Sequence, residues 1–180
     1  MSAAQGWQAR AAAGVVLDQS PAFLAWDDEL KAAAINPGTT ADLTVAAMVA
    51  EGTDPAEARE RCWLVDSKGL VVKSRVDLGA HKLPYAHEHP PIADFPAALK
   101  ALAPTAIIGV AAVGGTFTQE VIAEMARINP GPIVFALSNP TSKAECTAEQ
   151  AYQWSDGRAL FACGSPFDPV TLGGRTHVPR

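Results

Sequence analysis

The chain has 180 residues, of which 48% are hydrophobic, so it is long enough to bury a core and is not a disordered tail. Its formal net charge of -5 argues against a surface for nucleic acid, because such a surface needs clustered Lys and Arg. No apolar segment approaches the roughly 20 residues that span a bilayer, and no basic and apolar leader follows Met1, so we expect neither a membrane partner nor export.

The first 52 residues have the composition of two alanine-rich helices. Ser20 followed by Pro21 is typical of a helix start, and Asn36-Pro37-Gly38 is typical of the end of that helix. A second helix is predicted from Thr40, and Gly52 closes it.

Four short apolar runs follow, and each is continuous rather than alternating, which favours strands that are covered on both faces. A crossover helix is predicted from Thr118 to Arg127, and Thr147 with Gln150 has the form of a capping box that opens another helix. The pattern predicts an α/β fold, an incomplete doubly wound, Rossmann-like parallel sheet preceded by two α-helices. The predicted strands are Cys62–Val65, Ala106–Val110, Ile133–Leu137 and Ala159–Ala162.

Three groups of residues follow predicted strands, where open sheets place their ligands. Asp66 is placed to accept hydrogen bonds from the ribose hydroxyls of a dinucleotide, and Ser67 and Lys68 would suit the extra phosphate of NADP better than the bare hydroxyl of NAD. An ordinary turn, in which Asp66 bonds its own backbone, is the alternative. The glycine loop that should cradle the pyrophosphate is missing, because residues 32–38 upstream of Asp66 offer a single glycine and a proline that removes an amide donor.

The second group contains Gly114 and Gly115, which would let the backbone lie beside a flat cofactor or would simply form a tight turn. The third group contains Ser138 and Asn139. The carboxamide of Asn139 both donates and accepts, as a nicotinamide or a hydroxy acid requires, while an Asx turn before Pro140 is the alternative.

Metal and thiol chemistry are weakly indicated. His81, His87, Glu88 and His89 form a metal-like cluster in a proline-rich loop, but no cysteine or further acid completes a convincing ligand set. The three cysteines fit neither a disulfide framework nor a paired zinc motif, so we expect reduced thiols and a cytoplasmic protein. Cys163 is interpreted as a buried thiol at a strand end, since no base partner accompanies it.

Five segments carry a resemblance to the carboxy-terminal, cofactor-binding domain of malic enzyme: WLVDSKGLVVKSR, YAHEHPP, IIGVAAVGGTFTQEVIAEMA, FALSNPTSKAECTAEQAY and ACGSPFDPVTLGG. The resemblance covers about residues 45–180 and implies oxidation of malate with NADP or NAD, then decarboxylation to pyruvate and carbon dioxide with Mg or Mn. It implies that Asn139 faces both the nicotinamide and the malate. The cofactor-binding residues that we expect are Asp66, Ser67, Lys68, Val110, Ala111, Ala112, Gly114, Gly115, Ser138 and Asn139.

The same resemblance assigns no catalytic acid–base pair and no metal ligand to this sequence, because those residues of the family precede the matching region. We therefore expect a chain that is inactive alone and that depends on further segments or forms a homo-oligomer. A non-catalytic dinucleotide-binding or partner-binding module is the alternative.

The segment AFLAWDDELKAAAINPGTTADLTVAAM is similar to the end of the triphosphoribosyl-dephospho-CoA synthase family. This likeness predicts two parts of different origin, a helical segment over residues 1–44 and a partial dinucleotide-binding domain over residues 45–180. A hybrid or truncated chain, with or without triphosphoribosyl transfer, is thus a further hypothesis.

Overall fold

The computed structural model describes residues 37–179, with side chains from Thr40 onward. The chain divides into two units, Met1–Thr39 and Thr40–Arg180, and the following description concerns the second unit together with the helix that leads into it. The helix predicted to start at Ser20 and the alanines at 32–34 lie outside the described residues. Within residues 37–179, no helix is both long and apolar enough to cross a membrane.

Five α-helices lie in the described part of the chain, and local sequence accounts for where most of them begin. They are α1 (Pro37–Ala50), α2 (Pro55–Glu60), α3 (Phe95–Leu102), α4 (Gln119–Ile128) and α5 (Ala148–Trp154). Asp54, Asp94 and Thr118 each accept a hydrogen bond from a backbone N–H of the first turn that follows. The predicted capping box of Thr147 and Gln150 is present at the start of α5. The predicted helices at 118–127 and 147–154 are confirmed. The helix predicted from Thr40 is present, but it begins at Pro37, so Pro37 and Gly38 lie within it and the break expected there was wrong.

Seven short strands form three sheets in the described residues. They are β1 (Val65–Asp66), β2 (Gly69–Leu70), β3 (Ala106–Gly109), β4 (Ile133–Ala136), β5 (Leu160–Cys163), β6 (Val170–Leu172) and β7 (Arg175–His177). The central sheet has the order β3-β4-β5 and is parallel throughout, with Ala106, Ile133 and Leu160 aligned at one end. The predicted α/β fold with a parallel sheet is confirmed.

The main core lies between this sheet and the helices. Helix α4 buries Val121, Ile122, Met125 and Ala126, which lie on one face as their spacing predicts. They pack with Val134 of β4 in a cluster that also contains residues of α3 and α5. Burial of this apolar surface provides most of the stabilisation of the sheet.

The first predicted strand does not join the parallel sheet, and this expectation was wrong. Val65 and Asp66 instead pair antiparallel with Leu70 and Gly69. The chain turns back after Asp66 because Gly69 adopts a φ of +97°, a conformation that suits glycine. The parallel sheet therefore has three strands rather than four in the described residues.

Candidate functional site

The three parallel strands end at the same level, since Gly109, Ala136 and Cys163 are neighbours in the ladder. We call the loops that follow them, residues 110–117, 137–147 and 164–165, the sheet edge. Backbone hydrogen bonds connect these loops: Gly115 N–H donates to Ala144 at 3.2 Å, and Phe117 N–H donates to Glu145 at 3.0 Å. The sheet edge is thus held by the main chain itself.

Ser138 lies at the centre of the sheet edge and is buried. Its hydroxyl oxygen accepts the backbone N–H of Ala112 at 2.9 Å and donates its own proton to the carboxylate of Glu145. Ala112 has a φ of +53°, a left-handed conformation that costs a residue with a side chain roughly 1–2 kcal/mol. The hydrogen bond from Ala112 to Ser138 helps to offset that cost.

The two glycines of the predicted cofactor loop serve different purposes. A Cβ on Gly114 would lie 2.8 Å from the carbonyl oxygen of Ser142, so only glycine permits this approach. Gly115 adopts a φ of +75°, and a Cβ there would meet no atom within 4 Å, so this side of the loop is open. Ala111 and Ala112 are likewise exposed, whereas Val110 is half-buried.

Asn139 is exposed beside this loop. Its side-chain oxygen accepts the hydroxyl of Ser165 at 2.6 Å, rather than its own backbone as the Asx-turn alternative requires. Its amide nitrogen makes a long contact of 3.5 Å with the carbonyl oxygen of Leu137. Among the described residues, one amide proton of Asn139 therefore has no acceptor.

Asp66 belongs to a group of five charged side chains, which we call the charge cluster. Arg75 donates to both carboxylate oxygens of Asp66, at 2.9 and 3.1 Å, and Lys82 donates to Oδ2 at 2.5 Å. Asp77 pairs with Arg75 at 3.1 Å and with Lys68 at 2.7 Å. The cluster consists of Asp66, Lys68, Arg75, Asp77 and Lys82.

The turn after Asp66 is also observed, because the backbone N–H of Lys68 donates to Asp66 Oδ1 at 2.9 Å. Counting this bond, the four acceptor positions of the Asp66 carboxylate are filled. Burial opposes ionisation of Asp66, but hydrogen bonds from Arg75, Lys82 and that N–H outweigh it and lower its pKa to about 2. Asp66 is therefore a firmly ionised acid, surrounded by cations.

The charge cluster and the sheet edge are separate polar regions. Within residues 40–179, no hydrogen bond or ion pair joins Asp66, Ser67 or Lys68 to the sheet edge. They are linked through the segment at residues 92–95 instead, by one backbone hydrogen bond and one aromatic contact. The N–H of Leu70 in β2 donates to Ile92 at 2.8 Å, and three residues later Phe95 stacks on Phe117 with ring centroids 5.9 Å apart.

Two histidines of the predicted cluster, His87 and His89, have structural partners. His87 stacks on Trp63 with ring centroids 3.8 Å apart, and its Nε2 faces the carbonyl oxygen of Cys62 at 2.9 Å, so this nitrogen carries the proton. His89 Nδ1 lies 2.8 Å from the carbonyl oxygen of Pro90. No group of three His, Cys, Asp or Glu residues in the described part of the chain could hold a metal ion.

Cys62, Cys146 and Cys163 form no disulfide with one another in the described part of the chain. Cys146 is buried, and burial, then the charges of Glu145 and Cys163, raises its pKa to about 12. Cys163, expected to be buried, is only half-buried at the end of β5, and burial raises its pKa as well. Neither thiol is activated as a nucleophile.

Sequence reasoning missed four residues that shape these regions: Arg75, Asp77, Lys82 and Glu145. The charge alternation of Lys73, Arg75 and Asp77 was a signal for the first two, whereas Lys82 and Glu145 had no local signal. One open cleft among the described residues borders the sheet edge at Thr147 and extends along Phe167–Thr171, and another lies beside Trp63 and Lys73. The candidate site is thus an exposed edge rather than a closed pocket.

Two family profiles match the chain. "Malic enzyme, NAD binding domain" matches residues 33–180, and "ATP:dephospho-CoA triphosphoribosyl transferase" matches residues 1–60, so the two ranges overlap. The NADP-dependent malic enzyme of Mus musculus is 56% identical over 140 residues, which are 77% of this chain and 24% of that protein. The enzyme of Anas platyrhynchos is 54% identical over 140 residues (77% and 25%).

A plant relative has a similar identity. The chloroplastic NADP-dependent malic enzyme of Oryza sativa subsp. japonica is 56% identical over 124 residues, which are 68% of this chain and 19% of that protein. The match to this chain thus spans about a quarter or less of the length of these relatives.

Proposed function

Since the chain belongs to the family of malic enzyme NAD-binding domains, we propose that it binds NADP or NAD along the sheet edge and the charge cluster. Two observations carry this proposal: the loop is open at Gly115, and one amide proton of Asn139, the neighbour in sequence of Ser138, has no acceptor among the described residues. A planar nicotinamide needs room beside the backbone and a hydrogen-bond donor for its carboxamide oxygen; in this proposal Gly115 would provide the room and Asn139 the donor.

The nicotinamide half of the cofactor would lie on Val110, Ala111, Ala112, Gly114 and Gly115. The backbone N–H groups of Ala112 and Gly115 already donate within the protein, so this loop is suited to a ring rather than to a phosphate. In this proposal Ser138 acts from beneath the loop, because it is buried, and Asn139 contacts the ligand directly.

The adenosine half would lie at Asp66, Ser67 and Lys68. Because the acceptor positions of Asp66 are filled, a ribose hydroxyl must displace one of its partners. Among the described residues, Lys82 is the only side chain that holds a single oxygen of Asp66, since Arg75 holds both. The ammonium groups of Lys68 and Lys82 favour a ligand with an extra phosphate. The relatives described as NADP-dependent support this preference for NADP over NAD.

We further propose that the domain serves the oxidation of malate, with Asn139 facing the substrate. The bound cofactor would accept a hydride from malate; this chain's residues would hold the ring and exclude water from one face of it. The described residues do not fit the Mg or Mn that the family resemblance implies, so no step is assigned to a metal. We expect cofactor binding by this chain alone, without measurable turnover of malate.

Three further expectations belong to the same proposal. A cytoplasmic location is proposed from the odd number and the spacing of the cysteines, although chloroplastic forms occur among the relatives. A homo-oligomer is proposed to complete the site. The division into a segment of different origin at residues 1–44 and a dinucleotide-binding part at 45–180 also stays a proposal, and the overlap of the two family matches at residues 33–60 is where it must be tested.

Calorimetric titration of the full chain with NADP and with NAD tests cofactor binding. We expect Lys68→Ala to weaken NADP about fivefold, the upper range for an exposed ion pair, and to leave NAD nearly unchanged. Lys100→Ala is the matched control, because Lys100 is an exposed lysine that pairs with Glu120 on a helix. If neither NADP nor NAD gives a heat of binding at millimolar concentration, the proposal is refuted.

A further inference from the structure

Glu145 is a buried acid for which the proposed function has no use. Only 1% of it is exposed, and no Lys, Arg or His of the described residues pairs with it. An acid inside a protein is costly unless its oxygens are hydrogen-bonded. The position of those oxygens therefore indicates what the side chain does.

Both carboxylate oxygens of Glu145 are directed at one residue. Oε1 accepts the hydroxyl proton of Ser138, and Oε2 accepts the backbone N–H of Ser138 at 3.4 Å. The side chain reaches this place by lying against Gly109, where a Cβ would overlap the carboxyl carbon of Glu145. The end of β3 is therefore shaped to admit Glu145.

The hydroxyl of Ser138 has a single proton, which it donates to Glu145. The lone pairs of the Ser138 oxygen are then available to accept the N–H of Ala112. The N–H of Ala112 donates to this oxygen at 2.9 Å, at the point where the chain takes its left-handed φ of +53°. A continuous series of hydrogen bonds thus runs from Glu145 through Ser138 to Ala112.

We infer that Glu145 is a positioning residue, which acts through the Ser138 hydroxyl to hold Ala112 in its left-handed conformation and so sets the shape of the loop at residues 110–115. The inference concerns the geometry of that loop. Its importance for a cofactor rests on the proposed function.

Amide hydrogen exchange at Ala112, measured by NMR on the full chain without ligand, tests the geometry directly. Glu145→Gln keeps the size of the side chain but turns an amide NH2 toward one of the two Ser138 donors, so we expect exchange at Ala112 to rise about tenfold. Glu149→Gln is the matched control, since Glu149 is an exposed acid of the same segment, and we expect no change. If Glu145→Gln does not fold, Glu145→Asp keeps the charge and withdraws it from Ser138.

A rescue experiment separates positioning from a general loss of stability. Ala112→Gly removes the steric penalty of the left-handed conformation, so it should restore most of the NADP affinity that Glu145→Gln loses, which we expect to be three- to tenfold. Ser138→Ala combined with Glu145→Gln should weaken binding no more than the stronger single change, because both act through the same hydroxyl.

The outcomes distinguish this inference from the proposed function. Unchanged exchange at Ala112 in the Glu145 variants, or an affinity loss that Ala112→Gly does not restore, would overturn the inference. If the unmodified chain binds neither NADP nor NAD, the proposed function fails. The exchange rates of Ala112 then decide by themselves whether Glu145 sets the loop.

Discussion

The sheet edge and the charge cluster are both polar regions of one domain, but they are built in opposite ways. At the sheet edge, parallel strands in register bring three loops together, and the main chain and a buried serine connect them. In the charge cluster, a two-residue hairpin and an irregular segment present side chains that are connected by ion pairs. Core packing positions the first region, whereas charge positions the second.

The two regions should therefore respond differently to steric and to ionic change. The sheet edge should be sensitive to a single methyl group and insensitive to salt. The charge cluster should tolerate changes of shape and respond to salt and pH.

The largest effect is expected from Gly109→Ala. The added Cβ would overlap the side chain of Glu145, and overpacking of this kind costs about 2 kcal/mol of unfolding free energy. Urea denaturation should give the same loss of unfolding free energy for Gly109→Ala at low and at high salt. Gly131→Ala is the control, because a Cβ there meets nothing closer than 4.0 Å, and it should cost less than about 0.5 kcal/mol.

A medium effect is expected from Arg75→Met in the charge cluster. Arg75 pairs with Asp66 and Asp77, and its side chain is 12% exposed. Its replacement should therefore lower the unfolding free energy by about 1 kcal/mol at low salt. At 1 M salt the Debye length is about 3 Å, and the cost should fall by roughly half. Arg127→Met removes an ion pair whose arginine is 68% exposed and should change the urea midpoint little at either salt concentration. A cost for Arg75→Met that does not depend on salt would contradict the comparison.

The smallest effect concerns pH. The pKa of Asp66 is lowered to about 2, below its ordinary value near 4, so its stabilising contribution is complete above about pH 4 and is lost as the pH falls toward 2. The difference in unfolding free energy between the unmodified chain and Asp66→Asn should shrink by a few tenths of a kcal/mol between pH 5 and pH 3. Asp168→Asn, which changes an exposed acid outside the cluster, is the matched control over the same pH range.

Local signals in the sequence predicted the regular elements well. The helices after Thr118 and Thr147 could be predicted because each threonine side chain accepts a hydrogen bond from a backbone N–H only three residues later. The prediction that the strand ending at Val65 joins the parallel sheet was wrong, because an apolar run does not show which strand it pairs with. Gly69, with its positive φ, turns the chain back into an antiparallel hairpin instead.

The candidate site was predictable where it depends on strand ends, as for Gly115 and Asn139, whose ligand contacts stay predictions. It was not predictable where distant residues meet. In the sequence, nothing distinguishes Glu145 from the polar residues around it. Its burial depends on the space left by Gly109, which is far away in the sequence. Lys82 likewise follows Asp66 by 16 residues, with a turn and a loop between them.

The equal lengths of β3, β4 and β5 have a consequence for how this domain can vary. Each strand contributes four residues, and the ladder pairs them one to one. Inserting one residue in any of them would lift its loop by about 3.3 Å and turn every later side chain of that strand to the opposite face. Changes of length in this family should therefore accumulate at the amino-terminal ends of the strands, where the connections at Pro104 and Pro130 can absorb them without disturbing the shared level of the three loops.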